Sequence, residues 1–418
     1  LSAGFLCYAE RPSVLNAKLG AMTDYPFSRL AGLLGKPTSP DGRPTINLAL
    51  GEPQSPPPPI IAETLARHAA DWGRYPPITG TPAFRAAVSA WLSRRYGLSE
   101  GAVDPDAAIL PVQGTREALF QIAQVCVDRE TARNPAVLVP SPSYATYAAA
   151  GHLAGAEIVP MPGRAESGFL PELDRLPPTL LERTRLLYLC TPSNPEGAVA
   201  GIAYLRRAIG LARRYGFVLA VDECYSEIWD SAPPPGAFEA AMGLDREGDD
   251  PFANIVIFNS LSKRSSAAGL RSGFIAGDRR VIALMQRLRT YASSAPPLPV
   301  LAASAALWSD EAHVFENRAA YRRNLDLAEA ALGGIAGFYR PAGGFFLWLD
   351  VGNGEAAALR LWRDHAIRTL PGAYLARLDG DGKNPGERYI RLALVHDSAS
   401  LAPALARIAE TLRRESIP

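Results

Sequence analysis

Short apolar runs and helically periodic stretches alternate through the middle of this chain. Between residues 105 and 280, "AAILPV", "AVLVP", "EIVPM", "LLYLC", "FVLAVDE", "NIVIFNS" and "GFIAG" predict strands, several of them apolar on both faces. Strands buried on both sides belong to a largely parallel sheet covered by helices. Between them, "REALFQIAQVCVD" and "IAYLRRAIGLARRYG" carry apolar residues at three- and four-residue steps, the spacing of one helix face. The pattern is that of an α/β sandwich.

Upstream, "TPAFRAAVSAWLSRRYG" predicts a punctuated helix, with Thr81 as cap, Pro82 in the first turn, Phe84, Val88, Trp91 and Leu92 on one face, and Gly97 as the stop. Beyond residue 295 come a proline-rich break, the charged helical stretch "SDEAHVFENRAAYRRNLDLAEAAL", and the strands "GFFLWLDV" and "RYIRLALV" with helices between. These predict a second, smaller lobe. The expected division is 1–50 as an N-terminal arm with part of the small domain, 51–300 as the large domain, and 301–418 as the C-terminal small domain. "SPPPP" at 55–59 reads as a stiff turn before a helix, and "RRAIGLARR" as a solvated helix face.

Composition narrows the function. A chain of 418 residues with 48% hydrophobic content can fill two cores. The net charge of +1, with signs interspersed, excludes the basic face that a nucleic-acid or membrane-surface partner requires. No apolar run approaches the ~20 residues of a membrane span, and the opening "LSAGFLCYAE" lacks the cationic start of a secretory signal. A cytoplasmic protein is expected. Cys7, Cys126, Cys190 and Cys224 show no CxxC spacing and read as reduced core thiols, and the five histidines form no metal-binding pattern.

In open α/β sheets, ligands sit at the carboxyl ends of strands, so the polar residues just past each apolar run are candidates. After "AAILPV" comes Gln113-Gly114-Thr115-Arg116, leading into a helix whose free amides, with a hydroxyl and a guanidinium, form an anion cradle. "LLYLC" leads to "TPSNPEG" with Asn194. "FVLAV" ends in Asp222, with Tyr225 three residues on, and "NIVIF" ends in Asn259 before Ser260, Ser262 and Lys263. Each alone has a structural explanation: a helix cap for Asp222, an Asn-Pro turn, an ordinary strand-to-helix junction. Together they suit one aromatic aldehyde phosphate.

The ordered motifs "TPSNPEG", "DECYSEI", "SLSK…GLRSGF" and "YIRLAL" resemble those of the pyridoxal-phosphate aminotransferases of fold type I, class I/II, over nearly the whole chain. The resemblance implies a large domain with a mainly parallel seven-stranded sheet between helices, plus a smaller α+β domain. It makes Lys263 the cofactor lysine: burial lowers its proton affinity, so a neutral amine can form the imine and later shuttle a proton. Asp222 would keep the pyridine nitrogen protonated, making the ring an electron sink. Asn194 and Tyr225 would bond its phenolic oxygen, and Tyr144 in "SPSYATY" would stack on the ring; its alternative is plain core packing. Gly114, Thr115, Arg116, Ser260, Ser262 and Arg271 would hold the phosphate. Tyr75 in "GRYPPITG" would reach the phosphate of a neighbouring subunit, which implies a homodimer with shared active sites.

By the same resemblance Arg391, with the backbone of Gly51, would grip the α-carboxylate of an amino-acid or 2-oxo-acid substrate. Without it, Arg391 reads as an outward-facing strand residue. "SDEAHVFENRAAYR", "DECYSEIW", "LPGAYLAR" and "NPGERYIRLALV" are similar to the succinyldiaminopimelate aminotransferases of lysine biosynthesis, whose partner substrate is 2-oxoglutarate. Both substrates carry a distal carboxylate, and Arg289 in "RLRTYASSAPP" is the candidate cation, directed to the partner's site. "YASSAPPLPV" departs from that group's pattern where substrate is selected. An aspartate- or aromatic-type aminotransferase and a pyridoxal-phosphate carbon–sulfur β-lyase are the alternatives. A cofactor-binding DNA regulator would need a basic domain that the segment before Gly51 does not supply.

Overall fold

The computed structural model describes residues 15–35, 44–130, 133–244 and 250–414. Cys7 and the first 14 residues of the expected arm lie outside them. Among the described residues, twelve strands fall into three sheets. β1 is Ile46–Asn47. The large sheet comprises β2 (Ile109–Val112), β3 (Ala136–Ser141), β4 (Glu157–Pro162), β5 (Thr184–Cys190), β6 (Val218–Asp222), β7 (Ile255–Ser260) and β8 (Gly273–Gly277), in the order β2-β8-β7-β6-β5-β3-β4. All its pairings are parallel except those of β8, which is antiparallel to both neighbours. The seven apolar runs are these seven strands.

Alternation along the strands splits the interior into two cores. Leu187, Leu189, Leu219, Val221, Ile255 and Ile257 face the helices Pro82–Tyr96, Ile202–Tyr215 and Leu298–Ser309. Leu186, Tyr188, Ala220, Val256 and Phe258 face Thr115–Cys126, Ala145–Ala154 and Arg279–Ala292. Burial on both sides is why these strands lack a polar face. Thr81 caps Pro82–Tyr96 by accepting from Phe84 N at 3.2 Å, and Gly97 ends it in the left-handed region. Phe84, Val88, Trp91 and Leu92 are all buried.

The proline-rich break after residue 295 is shorter than the sequence suggests. Pro299 sits in the first turn of Leu298–Ser309, where a missing amide costs nothing, and that helix packs into the first core through Leu301, Leu307 and Trp308. The 21-residue helix Ala312–Leu332 then leads to the second sheet. This sheet has the order β11-β12-β9, with β9 at Phe346–Asp350, β11 at Leu370–Pro371 and β12 at Tyr389–Ala393, all antiparallel. Its core joins Leu325, Leu347, Leu349, Ile390 and Leu392 to Leu361, Leu401 and Ile408 of the helices Gly354–His365 and Ser398–Arg414. β1 pairs in parallel with β10 (Ile367–Arg368), and Leu48 lies in this second core.

Trp91 links the first core to the chemistry described below. Its ring lies 4.8 Å from that of Trp308 and 6.0 Å from that of Phe274, with the Arg264 guanidinium near both indoles. Trp91→Ala is expected to destabilise by about 3–5 kcal/mol, as large aromatic truncations in packed cores do. A urea titration checks this through a lowered midpoint, and Trp91→Phe should recover most of the loss.

Candidate active site

A cavity of about 500 Å³ lies between the two sheets, at the carboxyl ends of β5, β6 and β7. Thr115, Arg116, Tyr144, Asn194, Asp222, Tyr225, Ser260, Ser262, Lys263, Arg271, Gly51 and Arg391 all line it. The structure thus gathers nearly all the residues that the sequence singled out.

β7 delivers Lys263. Ser260 caps the short helix Leu261–Arg264, its Oγ accepting from Ser262 N at 3.1 Å and lying 3.0 Å from Ser262 Oγ. The lysine Nζ donates to the Gly51 carbonyl at 2.5 Å and lies 5.3 Å from the centre of the Phe345 ring. Burial lowers its pKa to about 8, opposed by Cys224 and Glu52 and helped by Arg391 and Arg271.

β6 delivers Asp222. Its Oδ2 accepts from Tyr147 OH at 2.7 Å and its Oδ1 from Cys224 N at 3.1 Å. Burial pushes this carboxyl up, while those two hydrogen bonds and the Lys263 charge pull it down. Tyr147 is itself stacked on Tyr188, with ring centres 4.7 Å apart. Tyr225 is buried against the edges of Phe345 and Phe346, and burial drives its phenol well up.

The anion end rests on backbone shape. Gly114 has φ +89°, and a Cβ there would run into the Arg271 guanidinium, so only glycine fits. Arg271 is itself left-handed at φ +53° and donates to the carbonyls of Ala268 (3.1 Å) and Gln113 (3.2 Å). Thr115 begins the helix Thr115–Cys126, its Oγ1 lying 3.2 Å from Cys224 Sγ. The Arg116 side chain lines the cavity while its Nε donates to Tyr144 OH at 2.5 Å.

Arg391 lies on β12 between Ile390 and Leu392, which point into the second core, so it faces the cavity instead. It is only 5% exposed. Nη1 donates to Asn194 Oδ1 at 2.9 Å and Nη2 to the Ala49 carbonyl at 2.7 Å, while Nε has no partner among the described residues. Burial lowers its pKa to about 10.

Two expected residues lie elsewhere. Tyr75 is fully exposed and outside its own chain's cavity. Arg289 is fully buried and absent from the lining, with Nη2 donating to the Ser294 carbonyl at 2.8 Å. Within one chain Arg289 is thus enclosed and turned onto its own backbone. The free thiols of Cys190 and Cys224 belong to a buried cluster, as expected, and also line the cavity; burial keeps both protonated. Tyr147, Glu52, Phe346 and Leu375 were missed. An aromatic at helical spacing from Tyr144 carries no chemical mark, so only the fold finds Tyr147.

The residues present fit a phosphorylated pyridoxal. The hydroxyls of Thr115, Ser260 and Ser262, with Arg271 beside the start of a 12-residue helix, suit a phosphate dianion. A buried carboxylate suits a ring nitrogen cation, and a buried amine of lowered proton affinity suits an aldehyde. Among the described residues no cluster could hold a metal ion.

The family model for aminotransferase class I and II matches residues 43–408. The 4-dedimethylamino-4-oxo-anhydrotetracycline transaminase OxyQ of Streptomyces rimosus is 36% identical over 372 residues, 88% of this chain and 94% of that protein. An LL-diaminopimelate aminotransferase of Dehalococcoides mccartyi is 31% identical over 373 residues, 88% of this chain and 91% of the relative. The solved structure of an aminotransferase from Neisseria meningitidis shares 38% identity with a TM-score of 0.90, covering 96% of this chain and 100% of that one.

The shift at Lys263 has a sign. Its folded pKa of about 8 lies below the ordinary 10.5, so the unfolded chain binds the extra proton between those values. This group therefore opposes folding most below pH 8, and progressively less as pH rises through that window. The neutral amine also grows through the same point. The rate at which the apo-protein captures pyridoxal phosphate should climb about tenfold per pH unit below 8 and level off above it. Stopped-flow absorbance reads this directly; a rate independent of pH would show that another group reacts.

Proposed function

The chain belongs to the aminotransferases of class I and II, which work with pyridoxal phosphate on amino and oxo acids, and from that premise we propose that it transfers an amino group between N-succinyl-LL-2,6-diaminopimelate and 2-oxoglutarate by a ping-pong mechanism. The fold is that of fold type I, with the seven-stranded, mostly parallel sheet between helices. One observation carries the amino-transfer part of the reading: Arg391, buried and with an unpartnered Nε among the described residues, turns a planar set of donors into the same cavity as the Lys263 amine. A planar fork is the natural grip for a carboxylate.

Each residue then has a task. Thr115, Ser260, Ser262, Arg271 and the amides after Gly114 hold the phosphate, and Asp222, steadied by Tyr147, faces the ring nitrogen. When bound, pyridoxal phosphate supplies the electron sink for the pair left as the α-carbon–hydrogen bond breaks. Arg391 and Asn194 hold the α-carboxylate end and Lys263 Nζ takes the α-proton, the two contacts fixing the orientation of that bond. Tyr225 donates from its buried phenol. The lobes meet around the substrate and exclude water.

The LL-diaminopimelate relative supports the diaminopimelate skeleton, and the motifs shared with the succinyldiaminopimelate group support the acylated form. Arg289 is the proposed cation for the distal carboxylate in the partner's site, although it is enclosed within its own chain. A homodimer is part of the proposal, with Tyr75, fully exposed in one chain, completing the neighbour's phosphate site. So is a cytoplasmic location, which the free thiols of Cys126, Cys190 and Cys224 suit. No helix of the described residues is long and apolar enough to cross a membrane. The likeness to OxyQ favours a second reading, amino transfer to a bulkier ketone.

A panel of substrates tests the proposal. Succinyldiaminopimelate with 2-oxoglutarate should turn over at least about tenfold faster than LL-diaminopimelate, aspartate or an aromatic amino acid. Equal or reversed rates would exclude it, and pyruvate with ammonia from cystathionine would indicate a β-lyase. Arg391→Ala should lower kcat/KM for amino acids by roughly 10- to 100-fold or more, as loss of charged hydrogen bonds does. Borohydride reduction should leave a pyridoxyl group on Lys263, and Lys263→Ala should keep bound cofactor but lose transamination.

A further inference from the structure

Two asparagines on one face of the helix Ala312–Leu332 make matching sets of bonds, and neither lines the cavity. Asn317 Nδ2 donates to the carbonyls of Lys263 (2.9 Å) and Arg264 (3.1 Å), while its Oδ1 accepts from Ser266 Oγ at 3.1 Å. Asn324 Nδ2 donates to the carbonyls of Leu394 and His396, each at 2.9 Å, while its Oδ1 accepts from Ser398 Oγ at 3.4 Å. Both side chains are buried, at 9% and 5% exposure. Seven residues make nearly two turns, so the amides point the same way about 10 Å apart along the axis.

One amide therefore holds the backbone that carries the amine, and the other holds the chain just past Arg391. Between them Tyr321 packs on Phe345, ring centres 5.1 Å apart, and Phe345 is the ring beside Lys263 Nζ. The flank of the helix is tied to the large lobe. Arg318 bonds Glu227 through Oε2 (3.0 Å) and the carbonyl (2.9 Å), and Arg322 bonds the Asp230 carbonyl. Past Asn324, Leu325, Ala328 and Leu332 enter the second core. The bonds of Arg391 to Asn194 and Ala49 lie in the cavity, whereas those of the two asparagines lie outside its lining.

We propose that this helix is a strut of fixed length, and that Asn317 and Asn324 are positioning residues that set the separation between Lys263 Nζ and the Arg391 guanidinium. The inference rests on the roles of those two groups proposed above. One amino acid has to touch both at once, and a displacement of ~1 Å in such a constellation costs about 100-fold in rate. A primary amide bridging two carbonyls cannot be lost without leaving both acceptors unmatched.

The holoenzyme with the fastest donor of the substrate panel provides the test. Asn317→Asp and Asn324→Asp keep the shape and lose both donors; Asn317→Ser and Asn324→Ser repeat the loss without adding charge. At position 324 both variants should raise KM for the amino donor at least about tenfold, with kcat within about twofold and the absorbance titration of the holoenzyme unmoved. At position 317 both should lower kcat at least about tenfold, with KM within about twofold, and move the midpoint of that titration. Equal effects on kcat and KM at both positions, or none at either, overturn the strut. Should Arg391→Ala lose activity while Asn324→Ser does not, the reading of the site stands and the strut falls; should Arg391→Ala stay active, the reading of the site itself fails.

Discussion

Withholding water from one amine is the constraint on which the site is built. Lys263 and Arg264 are neighbours on a four-residue helix, yet the fold treats their charges in opposite ways. Arg264, fully buried, lies beside Trp91 and Trp308, bonds the carbonyls of Leu307 and Asp310, and pairs with Glu311 at 2.7 Å. A delocalised guanidinium so supplied stays charged. Lys263 receives one carbonyl from Gly51 and an aromatic face, too little to replace a hydration shell, and its proton is loosened. The partners of Arg264 fix the helix so that its neighbour has to face the cavity.

The cavity concentrates positive charge. Lys263, Arg271 and Arg391 share it, and each makes the Lys263 amine easier to deprotonate or supplies a grip for an anion. Arg271 keeps its place because Gly114 has no side chain to obstruct it. Asp222 is a counterweight, as is Glu52, and the two donors to Asp222 offset the upward push that burial gives its carboxyl. The site is thus poised for a dianion, a carboxylate and a ring cation together, each relieving the desolvation of another.

Much of this was legible along the chain. Strands apolar on both faces have no alternative to a covered sheet, so all seven were visible, and Asp222, Asn194, Ser260 and Lys263 followed as the polar residues at their ends. Arg391 was ambiguous for a physical reason. Alternation along β12 says only that it faces away from the second core, and a two-residue period cannot say whether that other face meets water or another lobe. Arg289 was placed by resemblance alone, and no spacing in the sequence shows that it is enclosed within its own chain. Tyr147, and the place of Cys190 and Cys224 on the cavity wall, were missed because a cavity wall within an apolar stretch has the composition of a core.

The Arg391 guanidinium meets the Ala49 carbonyl across 342 positions of sequence and Asn194 across 197. A ribosome making this chain in order exposes the arm, the cradle and the lysine long before the last wall of the cavity exists. Nascent domains fold as they emerge, so the large sheet can assemble on its own schedule. The proposed clasp on a substrate carboxylate, however, closes only when synthesis is almost finished, and a prematurely terminated product would keep the proposed cradle for phosphate while lacking that hold on an amino acid.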